Sequence, residues 1–376
     1  MSASPSTRMR RRSRIARGIL IPLGVLILAG LVVLALSKLN LHSVGHTLAS
    51  ARPGWVAVAL LLMGSSLVLR AVSWRETLSA AAPDFSVGLL AIIRATVIGV
   101  MVSALVPGRA GEPARALLVS KRMGSAKANF TLVLGTVFSQ TLINIFALLI
   151  LAVITFTNVS LFQGHESGLE AAIVVPVGIA FLVVVAPRLA RRLERARSPK
   201  VRHAAERVSH QLVLARRGLS VFARPRHGMP AVAAQLAAWA LQWLSCYAVL
   251  VALHFTPKAT LATAAAVLLA VNVSAVLPAT PSNVGVFQLA CLLVLRAFGF
   301  ATAPAIAYGV MLQAVEVVTA LAMGIPSLLG EGLSWRDVSH MRQAEEEAED
   351  EIVEALDEAE SETEEPPAPA KAAGAQ

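Results

Sequence analysis

The sequence predicts an all-α, polytopic helical membrane protein of six to eight spans, with two broken or re-entrant helix hairpins related as an inverted repeat. Three observations predict it. Hydrophobic residues make up 56% of the 376 residues against 15% charged, with a mean hydropathy of +0.67, a balance that one soluble domain does not carry. Apolar runs close to the roughly 20 residues that cross a hydrocarbon core of about 30 Å recur along the chain. One phrase also ends such a run twice, as Ser103-Ala104-Leu105-Val106-Pro107 and as Ser274-Ala275-Val276-Leu277-Pro278.

Residues 1–17 form a basic N-terminus with Arg8, Arg10, Arg11, Arg12, Arg14 and Arg17. The apolar run at 18–36 is longer than the roughly 7 to 15 residues of a signal core, so it reads as a retained first helix. Further apolar segments lie at 54–72, 87–106, 130–157, 169–186, 230–253, 261–277, 284–295 and 303–328. Cys246 and Cys291 lie inside apolar runs without CxxC or Cys/His spacing, which leaves them as small packing residues. Neither a metal nor a cofactor is expected.

The net charge of +10 is unevenly spread. Thirteen of the 23 acids follow Arg342, which leaves a balance of +21 before it. Cytoplasmic loops carry the excess Lys and Arg, so the N-terminus, the stretch with Lys121, Arg122 and Lys127, and the loop at 187–228 all belong on the cytoplasmic side. Residues 254–260 then lie outside, and both termini of this multi-pass protein face the cytoplasm of a cell (inner) membrane. The second helix returns at Arg70 and Arg75, so the chain from Val87 to Arg122 must leave the cytoplasm and come back.

Its return arm, at 111–119, is too short to span, which makes a re-entrant hairpin broken at Pro107, Gly108 and Gly111. The same bookkeeping puts a second hairpin or helix pair, broken at Pro278, Pro281 and Gly285, on the opposite face. The copies close at Gly124 and Gly299. Paired, Gly/Pro-interrupted segments in two halves of a membrane protein mark a transport site, although Ser-Ala-x-x-Pro could also recur by chance in an Ala-rich chain.

The basic loop at 187–228, with Arg191, Arg192, Arg195, Arg202, Arg207, Arg216 and Arg217, suits an amphipathic helix on the inner leaflet or a solvated loop. It lies between membrane segments and lacks interleaved aromatics, so nucleic acid is not its partner. Residues 343–376 are too acidic and apolar-poor to fold alone and read as a disordered cytoplasmic tail.

Ionisable residues inside a membrane are costly and therefore few. Arg109, Glu112 and Arg115 occupy the first hairpin, with Glu112 and Arg115 on one helical face at i, i+3. Two arginines beside a half-helix N-terminus suit a phosphate; a local salt bridge fixing the hairpin is the plainer reading. Glu316 lies near the middle of the last apolar helix, one turn after Gln313, and needs a partner, a proton or water: it could bind a coupling proton, pair with a hairpin arginine, or be neutral and hydrogen-bonded in the core. In the second hairpin Asn283 and Gln288, with Asn272, Ser274, Thr280 and Ser282, could line a polar path or merely cap exposed backbone.

At these residues the chain resembles the lysylphosphatidylglycerol synthase transmembrane region, or flippase-like domain family. The resemblance rests on Pro107 through Arg115, on Arg70 with Trp74-Arg75, and on Pro278 to Gln288 with Gly299, and it covers the membrane body, 18–329. It implies a protein that moves, or helps to move, a lipid with a charged or phosphate-bearing headgroup, such as an anionic phospholipid or a polyprenyl-phosphate-linked substrate. Where many relatives have a Gly-Gly pair and then Glu, this chain has Ser282-Asn283 and Gln288. Some relatives are fused to an aminoacyl transferase domain; none is expected here, and neither is aminoacylation.

A lipid translocase, flippase or scramblase is thus the leading expectation, with no enzymatic activity. The alternatives are an accessory or scaffolding protein of a cell-envelope lipid or glycolipid pathway and, less favoured, a membrane glycosyltransferase. The outer loop read at 38–53 lacks the acidic pair such an enzyme needs. The sequence is compatible with a homo-oligomer and does not identify the lipid.

Overall fold

The structure is a computed structural model that describes residues 41–105, 111–124, 126–158, 219–256, 260–275 and 283–331. The helix expected at 18–36, the segment at 169–186, nearly all of the basic loop, the acidic tail and Arg109 lie outside these residues. So do four of the six expected hairpin breaks: Pro107, Gly108, Pro278 and Pro281.

Among the described residues every regular element is helical. The helices are α1 (Leu41–Ala49), α2 (Pro53–Ala81), α3 (Leu89–Leu105), α4 (Gly111–Arg122), α5 (Ala126–Asn158), α6 (Pro225–Ala252), α7 (Leu261–Ser274), α8 (Val286–Ala297) and α9 (Thr302–Gly330), with a short 3-10 turn at Leu219–Ala223 before α6. Four are long and apolar enough to cross a membrane: α2, α5 over Asn129–Phe156, α6 and α9. The chain is a multi-pass membrane protein.

The helices fall into two sets of four with matching lengths. α2 to α5 contain 29, 17, 12 and 33 residues, and α6 to α9 contain 28, 14, 12 and 29. Packing repeats the pattern: α3 lies on α4 as α7 lies on α8, α4 on α5 as α8 on α9, and α2 on α3 as α6 on α7. Across the halves α2 packs on α6, while α3 on α9 is answered by α7 on α5. Each set is a long helix, a hairpin of two short helices, and a second long helix.

The sets are inverted. The Arg52 N–H donates to Ala252 O at 2.9 Å and the Arg52 Nε to His254 Nε2 at 2.9 Å, joining the start of α2 to the end of α6. At the other end the Arg224 guanidinium donates to Ala80 O at 2.8 Å, and His227 lies 2.9 Å from Glu76. α2 and α6 are therefore antiparallel. Each starts with Arg-Pro, Pro53 and Pro225 at positions where no backbone donor is needed, and each arginine satisfies a carbonyl at the negative end of the other helix.

The hairpins follow their long helices and open at opposite ends. Arg94 near the start of α3 and Arg122 at the end of α4 both bond Glu331, just past α9, the first at 3.4 Å. At the far end the Trp243 indole donates to Leu261 O at 2.8 Å, and Phe300 after α8 stacks on Phe255 after α6, with ring centroids 5.1 Å apart. Both return arms stop two residues before a glycine in the left-handed region, Gly124 at φ +95° and Gly299 at φ +79°. Such glycines end helices without a Cβ penalty, and the two closures expected from sequence are both present.

Two expectations need correction. The second helix does not end at Arg70 or Arg75; α2 runs on to Ala81, so Arg70 lies eleven residues inside it. A favourable partner on α6, Gln242, offsets part of the cost that would have ended the span there. The stretch read as an outer loop at 38–53 contains α1, which packs against α9.

Glu331 offers a direct check of the end that holds the first hairpin. Burial alone would raise its carboxyl, yet hydrogen bonds and charge from Arg122 and Arg94 hold it below its ordinary value. The stabilisation is present at neutral pH and is lost as pH falls through that lowered value. Glu331→Gln is expected to cost about 0.5 kcal/mol at neutral pH, seen as a lower thermal midpoint in detergent, with the difference from wild type vanishing in acid. Equal midpoints at neutral pH would contradict the contact.

Candidate functional site

The middle of the molecule is a seam of small and polar residues between helices. Ala59, Ser66, Ala71 and Ser73 of α2 are buried with Ala231, Ala238, Ser245, Ala248 and Ala252 of α6, and the Ser245 hydroxyl donates to Ala59 O at 2.9 Å. Lipid gives apolar helices no reason to associate, so close backbone approach and hydrogen bonds must do so.

α4 reaches this seam through a glycine contact. A Cβ on Gly111 would collide with the backbone oxygen of Gly99 on α3 and with the Ser103 hydroxyl, and a Cβ on Gly99 would lie 2.7 Å from Gly111 O. The close approach expected of Gly111 is thus present. It brings Arg115, one turn along α4, to 8% exposure. Its guanidinium pairs with Glu112, as the i, i+3 spacing predicted, donates to Gln140 Oε1 at 2.9 Å, and sits 4.7 Å above the Trp74 ring. Trp74 is in turn fixed by its indole N–H, which donates to Thr136 Oγ1 at 3.0 Å.

From Arg115 the polar chain crosses both halves. The Gln140 amide donates to Arg70 O at 2.8 Å and to Gln235 Oε1 at 3.3 Å. Gln235 donates to Asn144 Oδ1 at 2.5 Å, which also receives the Trp239 indole N–H at 3.1 Å. Arg70 extends from α2 to Gln242 on α6, donating at 2.5 Å. Arg70, Arg115, Gln140 and Gln235 thus link α2, α4, α5 and α6. The Nε of Arg70 and the Nε of Arg115 are enclosed and have no hydrogen-bond partner among the described residues.

The second hairpin supplies the neutral side. Gln288 on α8 donates to Gln313 on α9, and its Oε1 accepts from Gly285 N at 2.6 Å. Gly285 (φ +92°) and Asn283 (φ +52°) both adopt the left-handed region, so here the glycine serves a turn. Arg115 with Gln140 and Gln288 with Gln313 are equivalent bridges, from a return arm to the following long helix. One bridge is charged and the other neutral.

Glu316 is the midpoint of α9 and only partly exposed. Among the described residues no hydrogen bond or ion pair within 4 Å reaches its carboxylate, and the charge acting on it is Arg70 of α2. A hairpin arginine among the described residues is not its partner.

Of the expected site residues, Glu112 and Arg115 meet, Gln288 and Gln313 meet, and Glu316 faces the charge of Arg70. Asn283 stands at the turn before α8. The sequence reading missed Arg70 as a half-buried group inside the span, and it missed Gln140, Asn144, Gln235 and Gln242. Amides spaced i, i+4 at Gln140 and Asn144, and i, i+7 at Gln235 and Gln242, inside spanning helices were the available signal.

The fold and this seam define a class: a helical membrane protein of two inverted repeats that meet at a buried, partly charged polar layer. The family model described as the lysylphosphatidylglycerol synthase TM region matches residues 21–324, and the chain belongs to that family, whose members are linked to lipid handling. Comparison with curated proteins and with solved structures returned no match.

Gly111→Ala tests how α4 is held. Overpacking should cost about 1–3 kcal/mol and lift Arg115 from Trp74, read as a lower thermal midpoint in detergent with altered tryptophan fluorescence. An unchanged midpoint and spectrum would contradict the Gly99–Gly111 contact.

Proposed function

We propose that this chain moves a lipid with a charged or phosphate-bearing headgroup across the cell membrane, as a translocase, flippase or scramblase, without a catalytic step of its own. The observation that carries the reading is the pair of arginines, Arg70 and Arg115, held between inverted repeats with an unused Nε–H donor on each. A guanidinium is a fork of donors matched to phosphate oxygens. Holding two of them among apolar helices, Arg115 buried and Arg70 half-buried, is costly, and such groups point to a substrate path.

Membership of a lipid-linked family supports a lipid partner. The basic residues support an orientation. Arg75, Arg94, Lys121, Arg122, Arg224 and Arg226 lie toward the end where α2 stops, whereas Arg52 and Arg296 lie toward the other. The positive-inside rule then assigns the mouth of the first hairpin to the cytoplasm and the mouth of the second to the outside. A headgroup would pass from one mouth to the other along the arginine and glutamine bridges while its acyl chains stay in lipid.

The test is lipid flipping in reconstituted vesicles with fluorescent phosphatidylglycerol or a labelled polyprenyl phosphate. Wild type is expected to accelerate movement of at least one, and Arg70→Gln or Arg115→Gln to slow it about tenfold, a barrier increase of about 1.4 kcal/mol, in folded protein. No protein-dependent movement of any anionic lipid would overturn the reading.

A further inference from the structure

Charge balance at the seam carries one step more, and it rests on the reading of Arg70 as a headgroup site. Three charges act on Arg70 here, those of Glu316, Arg115 and Glu112, and Arg70 acts on Glu316 in return. Glu112 is already paired with Arg115. That leaves Arg70 and Glu316 as opposite charges with no ion pair within 4 Å between them. Arg70 spends one donor on neutral Gln242 and leaves its Nε unused. Glu316 has no hydrogen-bond donor among the described residues.

The other groups around Glu316 do not change the sum. From α6 and α8 it is approached by the thiols of Cys246 and Cys291, both buried, and on α9 by the phenol of Tyr308, whose hydroxyl donates to Cys246 O at 2.9 Å. All three are neutral as thiol or phenol. α3 contributes only Arg94, held at its end by Glu331, and α1 carries His42 and the exposed His46. From α2 the facing charge is Arg70.

The four described charges therefore sum to zero with Glu316 ionised. A singly charged phosphodiester bound at Arg70 would make the sum −1 in a medium where an uncompensated charge is expensive. A proton on Glu316 restores neutrality. We propose that Glu316 is a proton site linked to the anion site at Arg70: arrival of the headgroup phosphate is accompanied by uptake of one proton on the Glu316 carboxylate, and release of the headgroup returns it. Because linkage is reciprocal, proton concentration and headgroup affinity rise together. A pH difference across the membrane can then drive or direct lipid movement through this site.

The experiment titrates purified full-length protein in detergent with dioleoylphosphatidylglycerol. Calorimetry in buffers of different ionisation enthalpy counts the protons, and tryptophan fluorescence follows binding. In the pH range where Glu316 is ionised in the free protein and protonated in the complex, wild type is expected to take up about one proton per lipid and to bind about tenfold more weakly for each unit rise in pH. Glu316→Gln is expected to bind with no proton uptake and no pH dependence, and Glu316→Asp to keep the uptake. Should Glu316→Gln fail to fold, Glu316→Asp carries the test: a shifted pH midpoint of proton uptake supports the site, and a midpoint identical to wild type overturns it.

Lipid binding by wild type with no proton uptake overturns the proton linkage and leaves the lipid reading standing. Proton uptake that persists in folded Glu316→Gln also overturns it. No binding of the lipid overturns the headgroup reading and the linkage with it. Inorganic phosphate run in parallel separates the sources of the anion: the same uptake from phosphate supports the linkage for a soluble anion, and uptake from the lipid alone supports it for a headgroup.

Discussion

Two helices that cross a membrane side by side have little reason to touch unless their backbones come close and their polar groups find each other. α2 and α6 meet this condition along nearly their full length. Small residues line both, Ser245 bonds a carbonyl of α2, and Arg52 and Arg224 tie each helix start to the other helix end. Because the pair is antiparallel, whatever follows α2 on one face must follow α6 on the other. The positions of both hairpins, and the polar layer between them, depend on that constraint.

The polar layer is symmetric in place and asymmetric in charge. Each return arm presents a polar side chain within about a turn of its glycine to a glutamine on the next long helix. In the first repeat that side chain is Arg115, stacked on Trp74 and paired with Glu112; in the second it is Gln288. Arg115 is buried while its partner Glu112 is half exposed, and a charge taken out of water in this way adds little as simple glue. On the reading proposed above the arginines serve to hold a headgroup, and Glu316 adds the opposite charge that acts on Arg70.

Much of this was legible in the chain. Class and hairpins followed from hydropathy and from the short arm at Gly111, and Gly124 and Gly299 marked both closures because a helix stop with positive φ leaves a glycine behind. The pairing of Glu112 with Arg115 followed from helical spacing. What stayed hidden depended on contacts distant in sequence. Arg70 looked like the end of a span because its compensation comes from Gln242, 172 residues away, and Gln140 looked like an ordinary core amide until α4 was folded against it. The Arg-Pro starts at Arg52 and Arg224 were visible, but their meaning needed the antiparallel pairing. Ser103 and Ser274, the repeated phrase itself, turned out not to be equivalent: Ser103 lies within α3, whereas Ser274 is the last residue of α7. Gly111 and Gly285, at the starts of α4 and α8, align the repeats better.

The central claim is that the two hairpins open to opposite faces of one membrane. Lys121 and Arg296 lie exposed near the ends of α4 and α8, while the native Cys246 and Cys291 are buried. In a background with both native cysteines replaced, Lys121→Cys and Arg296→Cys can be labelled in sealed vesicles of known orientation with a maleimide that does not cross lipid. The account predicts labelling of Lys121→Cys from the cytoplasmic side alone and of Arg296→Cys from the outer side alone. Labelling of both from the same side would contradict it.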